Sequence, residues 1–271
     1  MEQIKDIKEL QRIELDILVN AVRYFTENDI SYFLCGGSML GAVRHNGFIP
    51  WDDDIDVLVP REDYDRLLSG MTAKEIGKDD IDVLKPGMEN YPFPYIKVVN
   101  TNTLVQDKNI VPQFNNTGVW IDIFPLDHFP DSQIMHRICL YKLKFWRWAI
   151  GTHMKPQGLE TGGAIVNLFF RVMYKLGGGY KKLTKRIDSI ARKMNRKYEK
   201  SVHYGDGTWP DSMKDYFEES WVKPVFQHAF ENYEFNIPVN YDGYLKRFYG
   251  DYMTPPPEDK RNYHFITAFK L

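Results

Sequence analysis

The side chains best placed for chemistry in this sequence are two aspartates one residue apart, Asp54 and Asp56. They belong to an acidic and then apolar run that predicts a strand over residues 52–59. Alternate side chains of a strand share a face, so the two carboxylates project together while Ile55 enters the core. Carboxylates held this close need a cation, and ligands that are all oxygen favour Mg²⁺ or Mn²⁺. The pair therefore predicts a divalent-metal site.

A glycine-rich turn, Gly36-Gly37-Ser38, precedes the pair, with Ser38 sixteen residues before Asp54. Two glycines allow the backbone to approach a phosphate closely, and we expect Ser38 to cap a helix that runs to about His45. The free N–H groups at the start of that helix favour an anion. Two metal ions about 4 Å apart can clamp the attacking and leaving oxygens of a phosphoryl displacement. The turn and the acids together predict phosphoryl-transfer chemistry.

A third acid, Asp122, lies in the alternating segment 119–124, which predicts a strand bounded by Gly118 and Pro125. The residues on both sides of Asp122 are isoleucines, and burying an unpaired carboxylate between them is costly. We therefore expect a metal or a cationic partner. Asp122 either bridges a metal ion or serves as the general base for an acceptor hydroxyl.

Four further residues are candidates for substrate binding: Arg44, His45, Trp51 and Lys97. Arg44 and His45 lie one or two turns beyond the phosphate-binding end of the predicted helix. There they hold a phosphate, orient an acceptor, or simply form a solvated helix end. Lys97 lies in a predicted strand, where it pairs with a carboxylate or phosphate or occupies a solvated edge. Trp51 immediately precedes the acidic run.

Other well-known motifs do not fit this spacing. An EF-hand loop starting at Asp52 requires glycine at its sixth position and glutamate at its twelfth, where this sequence has Val57 and Asp63. The Gly36-Gly37 pair lacks the Gly-Lys-Ser/Thr ending of a P-loop. The glycines at 177–179 are read as a helix break.

The elements around these residues fall into two predicted halves. Residues 1–131 alternate strands and helices, as in an α/β or α+β catalytic core, and residues 132–271 form a mainly helical, acceptor-binding half packed on it. Periodicity and turn signals predict helices over 3–28, 38–45, 61–70, 132–152, 162–176, 178–200 and 241–249. They predict strands over 32–35, 52–59, 81–84, 94–99, 103–106 and 119–124. The rest of the second half reads as loop.

Composition excludes several classes of protein. The 271 residues are 43% hydrophobic and 15% aromatic, which is enough for a packed core and excludes a disordered chain. We expect no membrane-spanning helix and no signal peptide, because no apolar run approaches 20 residues and the first residues lack a leader pattern. Cys35 and Cys139 lie too far apart in sequence to suggest a disulfide framework, so we expect buried thiols in a reducing, cytoplasmic setting.

Charge is distributed unevenly along the chain. The net charge is −2, but residues 136–200 contain 16 Lys and Arg against three acids, a local charge of +13 that leaves −15 on the rest. Aromatic residues interleave with the cations at 145–148 and 168–174, as in helices that lie on membrane surfaces. This segment therefore predicts contact with a polyanion, such as the inner membrane face. In the alternative interpretation these aromatics are ordinary core between packed helices.

Two stretches together resemble the LicD family of the nucleotidyltransferase superfamily, to which fukutin and its relatives are similar. They are residues 36–57, GGSMLGAVRHNGFIPWDDDIDV, and residues 120–126, WIDIFPL. Less specifically, residues 244–264 look like the family's C-terminal signature, whereas residues 136–235 resemble nothing named. The resemblance implies an α+β (α/β-like) fold, with a nucleotidyltransferase-type core whose mixed sheet is flanked by helices.

The resemblance also implies transfer of a phospho-alcohol, typically phosphocholine, from a CDP-alcohol to a hydroxyl of a cell-surface glycan or teichoic-acid precursor. Matched position by position, Gly37 and Ser38 lie on the phosphate-binding turn. Asp54 and Asp56 fall on the metal-binding pair and Asp122 on the third acid. The implied partners are a CDP-alcohol and a glycan or lipid-linked glycan, with no nucleic acid.

We therefore expect a phosphotransferase in which two Mg²⁺ ions, held by Asp54, Asp56 and Asp122, bind the donor diphosphate. The acceptor hydroxyl attacks the phosphorus that bears the alcohol, and CMP leaves. Two alternatives remain open. A glycosyltransferase could use the Asp-x-Asp pair to bind a metal and a nucleotide-sugar. A non-catalytic, metal-stabilised protein could bind glycans through its basic half.

Overall fold

The computed structural model describes residues 1–114, 117–156, 163–210, 214, 216–261 and 267–271. The helices in these ranges are α1 (Ile7–Glu27), α2 (Gly36–His45), α3 (Arg61–Gly70), α4 (Ala73–Ile76), α5 (Gln133–Met154), α6 (Ala164–Leu176), α7 (Tyr180–Lys197) and α8 (Tyr241–Tyr249). The strands are β1 (Glu2–Ile4), β2 (Phe33–Leu34), β3 (Asp56–Pro60), β4 (Ile81–Leu84), β5 (Ile96–Asn100), β6 (Thr103–Gln106), β7 (Trp120–Phe129), β8 (His203–Asp206), β9 (Phe217–Glu218), β10 (Val225–Phe230), β11 (Tyr233–Pro238) and β12 (Thr267–Lys270).

A mixed sheet forms the centre of the molecule. Its strand order is β2-β3-β7-β5-β4, and β8 and β9 extend it from β7. The β3 and β7 strands are parallel, whereas the other pairs in this sheet are antiparallel. The predicted α+β fold with a mixed sheet is therefore confirmed. Asp56 of β3 and Asp122 of β7 are direct register partners, so the sheet itself brings two of the predicted acids together.

The β7 strand is longer than the sequence predicts. It continues through Pro125, which we expected to end it, as far as Phe129. Proline has no N–H to donate, but the Pro125 carbonyl still accepts a hydrogen bond from the Gly207 N–H at 3.2 Å. Beyond this point β7 pairs with β8. The extension adds a second aspartate, Asp127, to the strand that carries Asp122.

The β3 strand is shorter than predicted, because it begins at Asp56 and residues 52–55 form the loop before it. Ile55 in that loop is nevertheless fully buried, and Asp54 and Asp56 line the same cavity. Both predicted acids therefore reach the same cavity, although only Asp56 belongs to the strand.

Two hydrophobic clusters fill the interior. The larger packs α1 and the main sheet together with C-terminal residues such as Phe235 and Leu245. The smaller is built mainly from α5 and α7, with Leu143 and Ile187 fully buried. Within the described residues, the part of the chain expected to be loop contains β8 to β11, and β12 joins β1 to β6. The division of the chain at residue 131 remains a prediction.

The helices of the basic segment lie close to their predicted positions, and Cys35 and Cys139 are buried free thiols as expected. The predicted break at Gly162 lies outside the described residues. Trp146 and Phe170 pack against the smaller cluster, as the core interpretation expects. No helix in the described ranges is both long and apolar enough to cross a bilayer.

A buried ion-pair network connects α3, β7 and α7. Arg61 donates from Nε to Asp127 Oδ1 at 2.7 Å and from Nη2 to Asp127 Oδ2 at 2.5 Å. Its Nη1 donates to Asp188 Oδ1 at 2.7 Å. Arg192 also donates to Asp188, at 2.6 Å, and to Asp65. Both carboxylate oxygens of the fully buried Asp127 are thus bonded to one guanidinium.

Candidate active site

The predicted acids open into a cavity of about 660 Å³. This volume suits a small-molecule ligand. The lining includes six of the sequence-predicted residues: Gly36, Gly37, Arg44, Trp51, Asp54 and Asp56. Ser38, His45 and Asp122 are not among the described lining residues, but each of them contacts a residue that is. Lys97 lies one residue further back, because it contacts Asp122. The structure therefore places all ten predicted residues in or directly behind one cavity.

The glycine turn does more than free the backbone for a phosphate. A Cβ atom on Gly37 would lie 2.6 Å from Asp52 Oδ2, and one on Gly36 would lie 3.3 Å from Asp56 Oδ2. Gly36 also has a φ of +54°, a conformation that side chains disfavour. The two glycines are required because carboxylates pack against the backbone here.

Ser38 does not cap the helix, contrary to the sequence prediction. Helix α2 begins two residues earlier, at Gly36, with Cys35 in the capping position and no side-chain cap. Ser38 is buried one turn into the helix, and its Oγ accepts a hydrogen bond from the Asp56 N–H at 2.8 Å. Ser38 thereby fixes the first residue of β3 relative to the glycine turn.

Negative charge dominates the cavity. Its described lining contains five carboxylates, Asp52, Asp54, Asp56, Asp206 and Asp251, and a single cationic side chain, Arg44. Burial raises the pKa of Asp56 well above its usual value, and the charges of Asp54 and Asp122 raise it further. A cavity of this kind repels anions unless a cation is bound in it.

Asp122 lies beside Asp56 and is held by Lys97. The Lys97 Nζ donates to Asp122 Oδ1 at 2.6 Å, and it also lies 4.0 Å from the centre of the Trp120 ring. Lys97 is almost fully buried; burial lowers its pKa, and the charge of Asp122 opposes that effect. The expected pairing of Lys97 with a carboxylate is therefore confirmed.

Arg44 and Trp51 line the cavity, and His45 contacts both of them. Arg44 donates to the Tyr252 carbonyl at 2.8 Å and to His45 Nε2 at 3.0 Å. The His45 and Trp51 rings meet edge to face with centroids 6.4 Å apart. The Arg261 guanidinium lies over the Trp51 ring at 4.2 Å. Arg44 and Trp51 thus belong to a wall formed jointly with the C-terminal segment.

Sequence reasoning missed the aromatic residues of the cavity lining, which we call the aromatic wall. Its residues are Phe124, Trp209, Phe217, Tyr244, Phe248, Tyr249 and Tyr252. Tyr244 stacks on Phe248 with ring centroids 4.7 Å apart, and its hydroxyl accepts a hydrogen bond from the Gly36 N–H at 3.1 Å. Most of these residues come from positions 206–256, where the sequence shows no repeating spacing that would distinguish them from the other aromatic residues.

A buried glutamate on α1, Glu14, was also missed. Glu14 is 1% exposed, and its Oε2 has no hydrogen-bond partner among the described residues. Burial raises its pKa well above the usual value, and the charges of Asp54 and Asp53 raise it further. The amphipathic pattern of α1 predicts only that this face is buried, so the acid on it gives no separate signal.

The donor set suits a divalent cation, although the geometry of a metal site is not complete in the structure. Among the described residues, no three His, Cys, Asp or Glu side chains converge as metal ligands. Asp54 and Asp56 share the cavity and supply oxygen ligands of the kind that Mg²⁺ takes. A bound cation would also offset the repulsion that raises the pKa of Asp56.

The sequence of this chain is similar to those of several known proteins. Residues 29–149 match the family described as LicD/FKTN/FKRP, nucleotidyltransferase domain. Over its length the chain is 27% identical to the lipopolysaccharide cholinephosphotransferase LicD of Haemophilus influenzae, in an alignment that covers 98% of each protein.

Two further matches cover shorter parts of the chain. Ribitol 5-phosphate transferase FKRP of Homo sapiens is 32% identical over 106 residues, which are 38% of this chain and 21% of that protein. The uncharacterized protein RP689 of Rickettsia prowazekii is 53% identical over 38 residues, 14% of each chain. The resemblance to the LicD family is therefore confirmed.

Proposed function

We propose that this protein transfers a phospho-alcohol from a CDP-alcohol to a hydroxyl of a glycan, and that the phospho-alcohol is phosphocholine. The observation that carries the proposal is the cavity in which a glycine turn, the acids Asp54 and Asp56 and an aromatic wall meet. The full-length similarity to a cholinephosphotransferase supports the same conclusion.

In the proposed reaction the acceptor oxygen attacks the phosphorus that bears the alcohol. A new P–O bond forms, the bond from that phosphorus to the bridging diphosphate oxygen breaks, and CMP leaves with the electron pair. The proton of the acceptor hydroxyl passes to a base, for which Asp122 is the candidate. Lys97 holds Asp122 in place through the 2.6 Å contact. The glycine turn and the start of α2 face the donor phosphates, and positioning supplies much of the rate.

A divalent cation, Mg²⁺ or Mn²⁺, would be held by Asp54 and Asp56, with Asp122 as a third ligand if it does not act as the base. When bound, the cation supplies positive charge that a diphosphate needs in a cavity lined by five carboxylates and one arginine. Arg44 lines the cavity and contacts His45, and these two residues would orient the donor or the acceptor.

The aromatic wall favours choline over a polyol. A quaternary ammonium is attracted to the faces of aromatic rings, and it makes no conventional hydrogen bonds. Trp209, Phe248 and Tyr249 line the cavity together with the carboxylates of Asp206 and Asp251. Ring faces and negative charge are the two features that such a head group requires. Ribitol, the alcohol in the name of the human relative, would need hydrogen-bonding groups in place of the rings.

The decisive experiment measures CMP release from CDP-choline in the presence of Mg²⁺, with CDP-ribitol and a UDP-sugar as alternative donors. We expect CDP-choline to be used in preference to both. Asp54→Asn and Asp56→Asn should each lower turnover on the order of 10³-fold or more. Asp53→Asn is the matched control, because Asp53 belongs to the same acidic run and is not among the described lining residues. UDP release from the sugar donor would instead support a glycosyltransferase.

A further inference from the structure

Helix α6 presents an apolar stripe to solvent. Its members are Ile165, Leu168, Phe169, Val172 and Leu176. At 100° per residue these positions fall within about a third of the helix circumference. Ile165 is 84% exposed, Leu168 63% and Leu176 75%. The opposite side of the helix packs on α5, where the Phe170 ring lies 5.6 Å from the Phe145 ring. A continuous exposed stripe of this kind marks an interaction surface.

The stripe is continuous with an apolar groove on α5. The groove has a volume of about 540 Å³ and is lined by Ile138, Tyr141, Lys142, Phe145, Trp146 and Ile190. Phe145 belongs to its lining, and the Phe145 ring lies 6.1 Å from the ring of Phe169 in the stripe. Trp148 on the same helix is 42% exposed, and its ring contacts Phe170 at 5.9 Å. The apolar surface therefore spans two helices.

Cations surround this apolar surface. Lys175 on α6 and Lys142 on α5 are exposed, and the Lys144 ammonium lies 5.9 Å from the centre of the Trp148 ring. The whole segment 136–200 has a net charge of +13, whereas the remainder of the chain has a charge of −15. An apolar stripe bordered by Lys and Arg, on a molecule that is otherwise acidic, is complementary to an anionic and apolar surface.

From this complementarity we infer that the α5–α6 face docks on an anionic phospholipid bilayer, with the α6 stripe inserted at the headgroup boundary. This surface is separate from the cavity, and it deepens the proposed function because it would hold the enzyme where lipid-linked glycan acceptors lie. The molecule would be oriented by its own charge asymmetry, with the basic helices toward the lipid and the acidic part away from it.

The test is sedimentation of the full chain with vesicles of phosphatidylcholine alone or phosphatidylcholine mixed with phosphatidylglycerol. We expect binding to the mixed vesicles to be at least ten-fold tighter than to the neutral ones, and to weaken as salt is added. The double variant L168E/V172E should lose at least ten-fold in affinity for the mixed vesicles. Both positions are exposed, so neither substitution disturbs the core.

The matched control is V202E/V239E, since Val202 and Val239 are 53% and 54% exposed outside this surface. It should bind like the unaltered protein. Equal binding to both kinds of vesicle, or equal loss in both double variants, would overturn the inference. The inference would also be overturned if the protein formed a dimer in solution that L168E/V172E dissociates. In that case a second copy of the chain would cover the stripe. Vesicle binding requires no donor, so failure of CDP-choline turnover would contradict the proposed function and leave this surface intact.

Discussion

Strand β7 carries two aspartates, Asp127 fully buried and Asp122 partly buried, whose surroundings differ in charge balance. Asp127 is fully buried, and Arg61 bonds both of its oxygens. Five residues earlier, Asp122 lies opposite Asp56 with Lys97 as its bonded cation, at the edge of an acid-rich cavity. The two aspartates lie on the same strand, so the difference comes from the residues that neighbouring elements bring to them.

This difference distinguishes the Arg61 network, whose charges are paired, from the cavity, which has an excess of acids. The Arg61 network contains two arginines and three aspartates. Within it, both carboxylate oxygens of Asp127 accept hydrogen bonds from Arg61. The cavity has five acids and one arginine in its described lining, an excess that destabilises the empty site. A protein retains such an imbalance where a ligand is going to neutralise it. The comparison therefore predicts opposite effects of removing a charge at the two places.

The largest expected effect is on turnover, through Asp56. Asp56→Asn should lower CMP release from CDP-choline on the order of 10³-fold or more, about 4 kcal/mol of transition-state stabilisation. Its thermal unfolding temperature should be equal to or higher than that of the unaltered protein without metal, because a desolvated and repelled charge is removed. A variant that is both inactive and clearly less stable would contradict this assignment.

Asp127→Asn should lower stability, whereas Asp56→Asn should lower turnover. Asp127→Asn leaves the Arg61 guanidinium buried without its main partner, so the free energy of unfolding should fall by about 3–4 kcal/mol. Urea denaturation followed by circular dichroism measures the change. Asp65→Asn, at the partly exposed end of the same network, serves as the control and should cost under about 1 kcal/mol. Similar losses in the two variants would show that the network does not depend on Asp127.

Metal binding should stabilise the cavity and leave the ion-pair network unaffected. At a free Mg²⁺ concentration about 100 times its Kd, the unaltered protein should gain about 2.7 kcal/mol relative to a chelator-treated sample. Asp56→Asn should lose most of this gain, whereas Asp65→Asn should keep it. Differential scanning calorimetry with and without Mg²⁺ provides the measurement. An equal gain in all three proteins would place the cation elsewhere.

The smallest expected effect is on the stability of the protein at acid pH. His136 is fully buried between Phe129 and Tyr216, and burial lowers its pKa to about 4. The unfolded chain takes up the proton near pH 6.5, so His136 disfavours folding as the pH falls from about 6.5 to 4. Between pH 6.5 and 5 the resulting loss in the free energy of unfolding is on the order of 1–2 kcal/mol. His136→Phe should flatten that part of the stability profile, and an unchanged slope would contradict the assignment.

Local signals predicted much of the fold. The bounds of β4, β6 and α8 agree with the sequence prediction, because each element has clear periodicity and a turn or proline beside it. The predicted β7 strand was too short because Pro125 has no backbone N–H to donate. The strand that pairs with β7 beyond Pro125 is β8, about 80 residues further along the chain. Local chemistry around a proline does not reveal such a distant partner.

The acidic side of the site was predictable, and the aromatic side was not. Asp54 and Asp56 are separated by one residue and line the same cavity, although Asp54 lies in the loop before β3. Trp209 and Tyr244 reach the cavity through tertiary packing, and the 40 Phe, Tyr and Trp residues of the chain offer no spacing that selects them. The predicted capping role of Ser38 was wrong because its hydroxyl makes a tertiary contact instead. It accepts a hydrogen bond from the Asp56 N–H.

The hydrogen bond from the Gly36 N–H to the Tyr244 hydroxyl joins residues 208 positions apart. During synthesis the glycine turn and the acids leave the ribosome long before the helix that closes over them. Formation of contacts this distant in sequence is slow, and the closure entropy must be overcome late in folding. A nascent chain consequently acquires its acidic loop early and its complete cavity only when α8 docks. Because Tyr244 also belongs to the larger hydrophobic cluster, completion of the cavity is coupled to completion of the core.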